Sequence, residues 1–263
     1  MTLRAASLTP VAGTLLLAAC QSGPAADSGF LTSYEGLASP GGDPRAVIRQ
    51  RRDDTASDAV ERVFIQPAVL GEGAGEGLSD GERASVLREV DRQICFEVSE
   101  RFDLADQMDE RTALIRTAVV RIRPTGRVGS AVSAAANFFN PVPILNVRTP
   151  GTTGGLSVES EMLAPDGRTQ IAAVTWGRDA AVVGMDSPSL SRVGDALQFA
   201  EPMGDAVGDA FASEAREVRD IPEPDPCLQY GPRSNFARQA GGAVVGIVTG
   251  LYVPEVERPA DPD

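Results

Sequence analysis

Leu156-Ser157-Val158-Glu159-Ser160-Glu161-Met162 is the stretch that decides the fold, because its side chains alternate in character. Its even-numbered positions are mostly apolar and its odd-numbered positions are polar, which is the pattern of a strand with one buried face. Pro165-Asp166-Gly167 then supplies the residues of a tight turn. Residues 169–176 return as a partner strand, so the sequence predicts a β-hairpin.

Glu159 and Glu161 fall on the same side of this predicted strand. Two neighbouring carboxylates are able in principle to act as an acid and a base, or to bind calcium. A strand with one face exposed to solvent also places polar residues at every second position, which explains the two glutamates without any such role. We therefore expect both side chains to face solvent.

Further elements are predicted on the N-terminal side of the hairpin. Val60 to Val69 is typical of a strand that Pro67 limits. Ser79 and Glu82 form a capping-box pattern, which predicts a helix from Asp80 to Phe102. Thr112 to Arg123 is rich in β-forming residues and predicts a second strand, whereas the segment before Val60 is rich in Gly, Pro and Arg and indicates a loop.

A second helical pattern begins at Ser189 and its apolar face continues through Arg219. Pro202 is expected to break or restart this helix, because proline lacks the N–H group and clashes with the preceding turn. The element order is therefore β-α-β-β-β-α. We predict the α+β class, with a small, mostly antiparallel sheet and helices on one of its faces.

The N-terminus has the layout of an export signal. Arg4 precedes a short apolar run that ends in Leu17-Ala18-Ala19-Cys20. This segment resembles bacterial lipoprotein signals, which implies cleavage before Cys20 and acylation of that residue. An ordinary signal with an incidental cysteine and an organelle-targeting peptide are the alternatives. By the same resemblance, Gln21 favours the outer membrane over retention in the inner membrane.

Five segments follow from these patterns. We predict a signal peptide at 1–19, a lipidated tether at 20–28, an α+β domain at 29–220, a C-terminal extension at 221–253 and a disordered, Pro-rich acidic tail at 254–263.

Composition excludes several classes of function. The chain contains no histidine, which removes histidine-based acid–base catalysis, Ser-His-Asp triads and histidine metal ligands. The net charge is −13, which disfavours nucleic acid as a partner. Neither a cofactor nor a metal ion is implied by any motif, and we expect a protein that is not an enzyme.

Three cysteines are present, and lipidation would use Cys20. In an oxidising compartment Cys95 and Cys227 are expected to form a disulfide. Two separate buried thiols are the alternative.

Two segments are candidates for self-association or membrane contact. Gly242, Gly246 and Gly250 form a stripe at four-residue spacing, although a buried strand or helix explains the stripe as well. Phe138 and Phe139 lie in a long connection between strands, where they either form an exposed apolar lobe or cover the edge of the sheet.

Short motifs distributed from about Ser28 to Arg219 resemble a family of proteobacterial outer-membrane lipoproteins known only as a domain of unknown function. They are Ser28-Gly29-Phe30-Leu31, Val63-Phe64-Ile65-Gln66-Pro67 and Val158-Glu159-Ser160-Glu161. The resemblance implies an envelope lipoprotein and supplies no activity. We expect a lipid-anchored protein on the periplasmic leaflet of the outer membrane, with a structural, assembly or interaction role and with a protein partner or self-association. A module that binds a small ligand is the alternative, and a carboxylate- or Ser/Tyr-dependent enzyme is the second alternative.

Overall fold

The computed structural model describes residues 27–41, 44–129, 131, 133, 146–184, 186–231 and 233. Its strands are β1 (Ala46–Arg52), β2 (Arg62–Ile65), β3 (Val69–Leu70), β4 (Asp103–Leu104), β5 (Thr112–Arg123), β6 (Asn146–Val147), β7 (Gly155–Leu163), β8 (Gln170–Asp179) and β9 (Val183–Gly184). Its helices are α1 (Asp54–Asp58), α2 (Asp80–Ser99) and α3 (Gly194–Phe211), and Leu228–Tyr230 forms a turn of 3₁₀ helix.

Seven of the strands form one sheet in the order β1-β8-β7-β5-β2-β4, with β3 also paired to β5. The long strands β1, β8, β7 and β5 are antiparallel neighbours, whereas β2, β3 and β4 add short parallel pairings at the other edge. Strands β6 and β9 form a separate pair. The prediction of an α+β fold with a mostly antiparallel sheet is confirmed.

The predicted hairpin is formed by β7 and β8. Gly167 adopts a φ of +65°, which favours glycine, at the turn between the two strands. The Asp166 carboxylate accepts hydrogen bonds from the main-chain N–H groups of Arg168 and Thr169, at 2.8 and 2.9 Å. Local sequence therefore fixes the turn, and the turn fixes the register of the two strands.

Helices α2 and α3 pack against each other and against one face of the sheet. The predicted capping box at Ser79 and Glu82 is present and begins α2. Side chains from both helices and from the central strands fill the space between the two layers; among the most buried are Val86, Val90, Ile94, Val98, Ile115, Val119, Leu156, Val158, Met162, Trp176, Phe199, Met203, Val207 and Phe211.

Three predictions about element bounds were wrong. Residues 46–52 form β1 rather than a loop, because antiparallel pairing with β8 organises an arginine-rich segment that has little strand character of its own. The predicted strand Val60 to Val69 is divided into β2 and β3 by the segment that contains Pro67. The second predicted helix ends at Phe211 rather than near Arg219.

Pro202 lies inside α3 and does not end it, contrary to prediction. Proline costs the helix a hydrogen bond and some strain. Phe199 and Met203, which flank Pro202, are both completely buried against the core. Their burial offsets the local cost, so tertiary packing overrides the intrinsic preference of proline.

Candidate functional site

The carboxylate pair of Glu159 and Glu161 lies on the outer face of the sheet, which we define as the face opposite α2 and α3. Alternation along β7 directs Val158 and Met162 into the core between sheet and helices and the two carboxylates away from it. Both glutamates are nevertheless buried, with 1% and 0% of their surface exposed. The expectation that they face solvent was wrong, because residues 28–38, which we call the strap, cover them.

Glu159 is held by three donors from the strap. Its Oε1 accepts a hydrogen bond from the main-chain N–H of Ser28 at 3.0 Å. Its Oε2 accepts from Ser28 Oγ at 2.6 Å and from the Tyr34 hydroxyl at 2.5 Å. Residues more than a hundred positions apart in sequence are thereby joined through one carboxylate.

Glu161 combines donors from the strap and from the sheet. Thr32 donates its main-chain N–H to Oε2 at 2.9 Å and its hydroxyl to Oε1 at 3.1 Å. Arg116 Nε donates to Oε1 at 2.5 Å, and Gln170 Nε2 donates to Oε2 at 2.6 Å. Hydrogen bonds to charged groups are the strong ones, each contributing about 1.5–3 kcal/mol.

Tyr34 organises the strap internally. Its hydroxyl oxygen accepts hydrogen bonds from the main-chain N–H groups of Gly29 and Leu31, at 2.9 and 3.3 Å. Partial burial and the adjacent Glu159 carboxylate raise the pKa of Tyr34 above its ordinary value of 10.0. The phenol therefore remains protonated and donates to Glu159.

Arg116 binds the N-terminal part of the strap from the sheet. Its guanidinium donates to the Phe30 carbonyl at 3.0 Å and lies 5.0 Å from the centroid of the Phe30 ring. Gln170 also donates to the carbonyl of Ser33, at 3.1 Å. The strap is thus held by main-chain and side-chain contacts along its length.

Both ends of the strap lie over the β1 side of the sheet. Asp27, which precedes the strap, forms a salt bridge with Arg49 of β1. At the other end Ala38 and Gln50 exchange two main-chain hydrogen bonds, at 3.0 and 2.8 Å. Asp27 therefore lies on the outer face of the sheet.

This geometry stabilises the strap and does not resemble a catalytic centre. Every oxygen of the two carboxylates accepts a hydrogen bond from an N–H or O–H group. The carboxylates are therefore surrounded by hydrogen-bond donors, whereas a metal site would need further oxygen ligands beside them. Within the ranges that the structure describes, no group of three or more acidic or cysteine side chains is arranged to hold a metal. Detachment of the strap would expose both carboxylates to water in place of the donors that the strap supplies, whereas Arg116 and Gln170 would still bind Glu161 from the sheet.

A second buried ion pair joins α3 to the loops beside it. Arg148 and Asp195 form two hydrogen bonds, at 2.6 and 2.9 Å, and both side chains are buried. Thr125 and the main-chain N–H of Gly154 also donate to Asp195, at 2.9 and 2.6 Å. All four contacts are internal, so the pair stabilises the packing of these loops.

The predicted disulfide between Cys95 and Cys227 is present, with a Cα–Cα distance of 5.9 Å. It joins α2 to Cys227, near the start of the predicted C-terminal extension. Arg233 reinforces this attachment, since it donates to Asp225 Oδ2 at 2.9 Å and to the Phe96 carbonyl at 2.9 Å. The start of the C-terminal extension is therefore fixed against α2.

One groove of about 350 Å³ lies beside the end of α3, lined by Arg52, Arg101 and Arg216 among others. These arginines already donate to main-chain carbonyls; Arg216, for example, donates to those of Ser57 and Val60. The space between sheet and helices, where a ligand-binding module would place its pocket, is filled by the core. Among the residues that the structure describes, no contact favours a ligand at either place.

Several predicted site residues lie outside the described residues. They are Leu17, Ala18, Ala19, Cys20, Phe138, Phe139, Gly242, Gly246 and Gly250. In the part of the chain that the structure describes, no helix has both the length and the apolar character needed to cross a membrane.

The family model described as "Protein of unknown function (DUF3313)" matches residues 26–207. The chain belongs to this family. The match begins just before the strap and ends in α3, so it includes the strap, the carboxylate pair and the hairpin. Among curated proteins, none matches the sequence.

Two solved structures are distantly similar to the chain. One is a dodecamer of a PelC point variant from Paraburkholderia phytofirmans, with 12% identity, a TM-score of 0.35, and coverage of 62% of this chain and 97% of that one. The other is a PelC dodecamer from the same organism, with 11% identity, a TM-score of 0.36, and coverage of 64% and 99%. At these TM-scores the likeness carries no conclusion about assembly or binding.

Sequence reasoning found Glu159 and Glu161 but missed the residues that bind them. Ser28 was predicted only as part of a family motif, and no role was predicted for Tyr34. A turn-rich segment with several hydroxyl groups is compatible with binding to a carboxylate, but no local pattern connects it to a strand about 130 residues away.

Proposed function

We propose that this chain is a lipid-anchored envelope protein that acts through interactions rather than catalysis. Its anchor would be the acylated Cys20, exposed after cleavage behind Leu17-Ala18-Ala19. Its domain would lie on the periplasmic side of the outer membrane. A protein partner, or a second copy of the chain, would then be recruited to that membrane.

The strap is the observation that supports this proposal best. Of the tether predicted at 20–28, Asp27 and Ser28 are bound to the sheet, so residues 20–26 would form the tether in front of the strap. Asp27 pairs with Arg49, and Ser28 binds the buried Glu159. A domain that is pulled through its N-terminus benefits from such an attachment, because the load passes into the sheet rather than into a loose terminal segment.

The proposal of a non-catalytic role rests on the chemistry of the available groups. The sequence contains no histidine, and the two buried carboxylates are engaged by the strap. General acid–base catalysis needs a group that reaches a substrate proton, and the strap separates these carboxylates from solvent.

Substitution of Cys20 by serine tests the anchor. The full chain would be expressed with its own signal in a Gram-negative host that is supplied with a palmitate analogue carrying a chemical handle. We expect the native chain to be labelled and to fractionate with membranes, and we expect Cys20→Ser to lose both properties. Labelling of Cys20→Ser equal to that of the native chain would refute the anchor.

A crosslinking experiment tests the interaction role. The native chain would be crosslinked in intact cells and purified under denaturing conditions, with Cys20→Ser as the matched control. Adducts of defined mass that depend on Cys20 are expected. Recovery of the monomer alone from both chains would contradict a role in recruitment.

A further inference from the structure

Attachment of the strap limits the length of chain between Cys20 and the sheet. From Cys20 to β1 is a stretch of 26 residues, but the salt bridge of Asp27 leaves only residues 20–26 in front of the bound segment. Seven residues span at most about 25 Å when fully extended, and their root-mean-square length is about 15 Å. The domain is then held close to any bilayer in which Cys20 is anchored.

The place where the tether leaves limits which face can reach the bilayer. Asp27 lies on the outer face, beside Arg49, whose Nε contacts Thr175 of β8 at 3.3 Å. A sheet and a helix layer together are about 20 Å thick. Since β1 is the edge strand and Asp27 lies beside it, a tether that passed round this edge to the helix side would need about 20–25 Å. The tether would then have to be almost fully extended, well beyond its root-mean-square length of about 15 Å.

We propose that the outer face of the sheet, with the strap on it, docks onto the phospholipid headgroups around the anchor while α2 and α3 point away from the bilayer. This inference rests on the proposed lipidation of Cys20. It goes further in assigning one face of the domain to the membrane and the opposite face to other contacts.

Charge is distributed in agreement with this orientation. The outer face carries five arginines, on β1 and β5, and five carboxylates, namely Glu159, Glu161, Asp179, Asp27 and, in the strap, Glu35, whereas Arg52 and Arg178 of the same sheet face the helix layer. Helices α2 and α3 carry nine acidic residues and three arginines. An anionic lipid surface repels the helix layer and attracts guanidinium groups.

The arginines of the outer face are within reach of headgroup phosphates. Arg49, Arg116, Arg121 and Arg123 have side-chain exposures of 31%, 32%, 33% and 41%. Arg121 donates to Ser157, which shares the face of Glu159, at 3.1 Å. Arg121 and Arg123 pair with the same carboxylate, that of Asp179, at 2.9 and 3.5 Å, so this part of the face has more positive than negative charge. Glu159 and Glu161 are covered by the strap and present no carboxylate to the lipid.

The orientation is tested with the lipidated full chain in vesicles of phosphatidylethanolamine and phosphatidylglycerol that contain a headgroup-linked energy acceptor. A donor fluorophore is placed in turn on Glu35→Cys in the strap and on Glu201→Cys in α3, since both positions are exposed glutamates. We expect several-fold more energy transfer from the strap position. Equal transfer, or more transfer from α3, overturns the proposal.

A lengthened tether provides the control. Insertion of about fifteen Gly and Ser residues within residues 21–26 leaves the strap and its contacts in place while it extends the reach beyond about 70 Å. The difference between the two fluorophore positions is expected to diminish. A difference that is unchanged by the longer tether would show that the tether does not set the orientation.

Lipid charge is tested by the double variant Arg121→Gln and Arg123→Gln. We expect it to lower transfer from the strap position on vesicles with phosphatidylglycerol and to leave transfer unchanged on phosphatidylcholine vesicles. Equal energy transfer from the variant and the native chain on both kinds of vesicle would overturn the proposal that Arg121 and Arg123 attract anionic headgroups. A chain that fails to float with vesicles would instead refute lipid anchoring, and the orientation with it, so the two failures are distinguishable.

Discussion

The hydroxyl of Tyr34 donates to Glu159 Oε2 at 2.5 Å across 125 positions of sequence. It is the shortest of the contacts between the strap and Glu159, and it also positions the main-chain N–H groups of Gly29 and Leu31. A single phenol therefore connects the internal structure of the strap to a buried carboxylate of the sheet. Its removal reports directly on the strength of this attachment.

Substitution of Tyr34 by phenylalanine is expected to lower the free energy of unfolding by about 1.5–3 kcal/mol, because one hydrogen bond to a charged group is lost. Urea unfolding measures the change. Tyr230→Phe is the matched control, since Tyr230 lies near the disulfide and makes none of the contacts of the strap. A loss that is equal in the two variants would contradict the role given to Tyr34.

Alkaline pH is expected to weaken the strap. Burial, and then Glu159, raise the pKa of Tyr34 above 10.0, so the folded state favours the protonated phenol. The stabilisation is therefore complete below pH 10 and is lost as the pH rises through the elevated pKa of the folded state. Unfolding free energies measured across this range should fall in the native chain. Tyr34→Phe should lose part of this dependence and keep the part due to Tyr230, whose pKa burial also raises.

Sequence patterns correctly predicted those elements that depend on contacts between residues close together in the chain. Ser79 and Glu82 begin α2 through contacts three residues apart, and Asp166 fixes the hairpin turn in the same local way. The failures concern long-range contacts. The sequence around Glu159 does not predict that Ser28 binds it. Strand β1 forms because it pairs with β8, which its own sequence does not indicate. The sequence thus predicted two acidic residues on one face of the strand, but it did not predict that the strap binds them.

Substitution of Asp205 by asparagine is expected to stabilise the protein at neutral pH. Burial, and then the charges of Glu97 and Glu201, raise the pKa of Asp205 to about 6. A raised pKa means that the favourable contribution is present below the ordinary value of 3.8 and is lost as the pH rises through about 6. The expected gain at pH 7 is below about 1 kcal/mol, because only the carboxyl group of Asp205 is partly buried while the residue as a whole is exposed, so solvent screens its interactions.

Thermal unfolding at neutral and acidic pH measures this effect, which should vanish when the native carboxyl is protonated. Asp209→Asn is the control one turn further along α3, since Asp209 pairs with Arg101 at 2.8 Å and should bring no gain. A gain from Asp205→Asn that persists unchanged at acidic pH would contradict the electrostatic explanation.

Replacement of both Cys95 and Cys227 by serine is expected to cost about 2–5 kcal/mol, because the bridge closes a loop with a sequence separation of 132. Arg233 still holds the following segment against Phe96 and Asp225, so we expect the domain to remain folded at low temperature. Urea unfolding measures the loss, and mass mapping without reductant checks the bridge in the native chain. Detection of both cysteines as free thiols would refute it.

Glu161→Gln is expected to destabilise the strap more than Glu159→Gln does. All the contacts described for Glu159 come from neutral donors, so an amide in its place sacrifices one acceptor position. At Glu161 the same substitution also removes the negative charge beside Arg116, whose guanidinium lies 2.5 Å from the carboxylate. A positive charge left without its partner in a partly buried site costs more than the loss of a neutral hydrogen bond.

Limited proteolysis within residues 27–38 should therefore be faster for Glu161→Gln than for Glu159→Gln, and addition of Arg116→Gln should restore part of the protection. Faster cleavage of Glu159→Gln would show that the hydroxyl groups of the strap, rather than the ion pair, dominate its attachment.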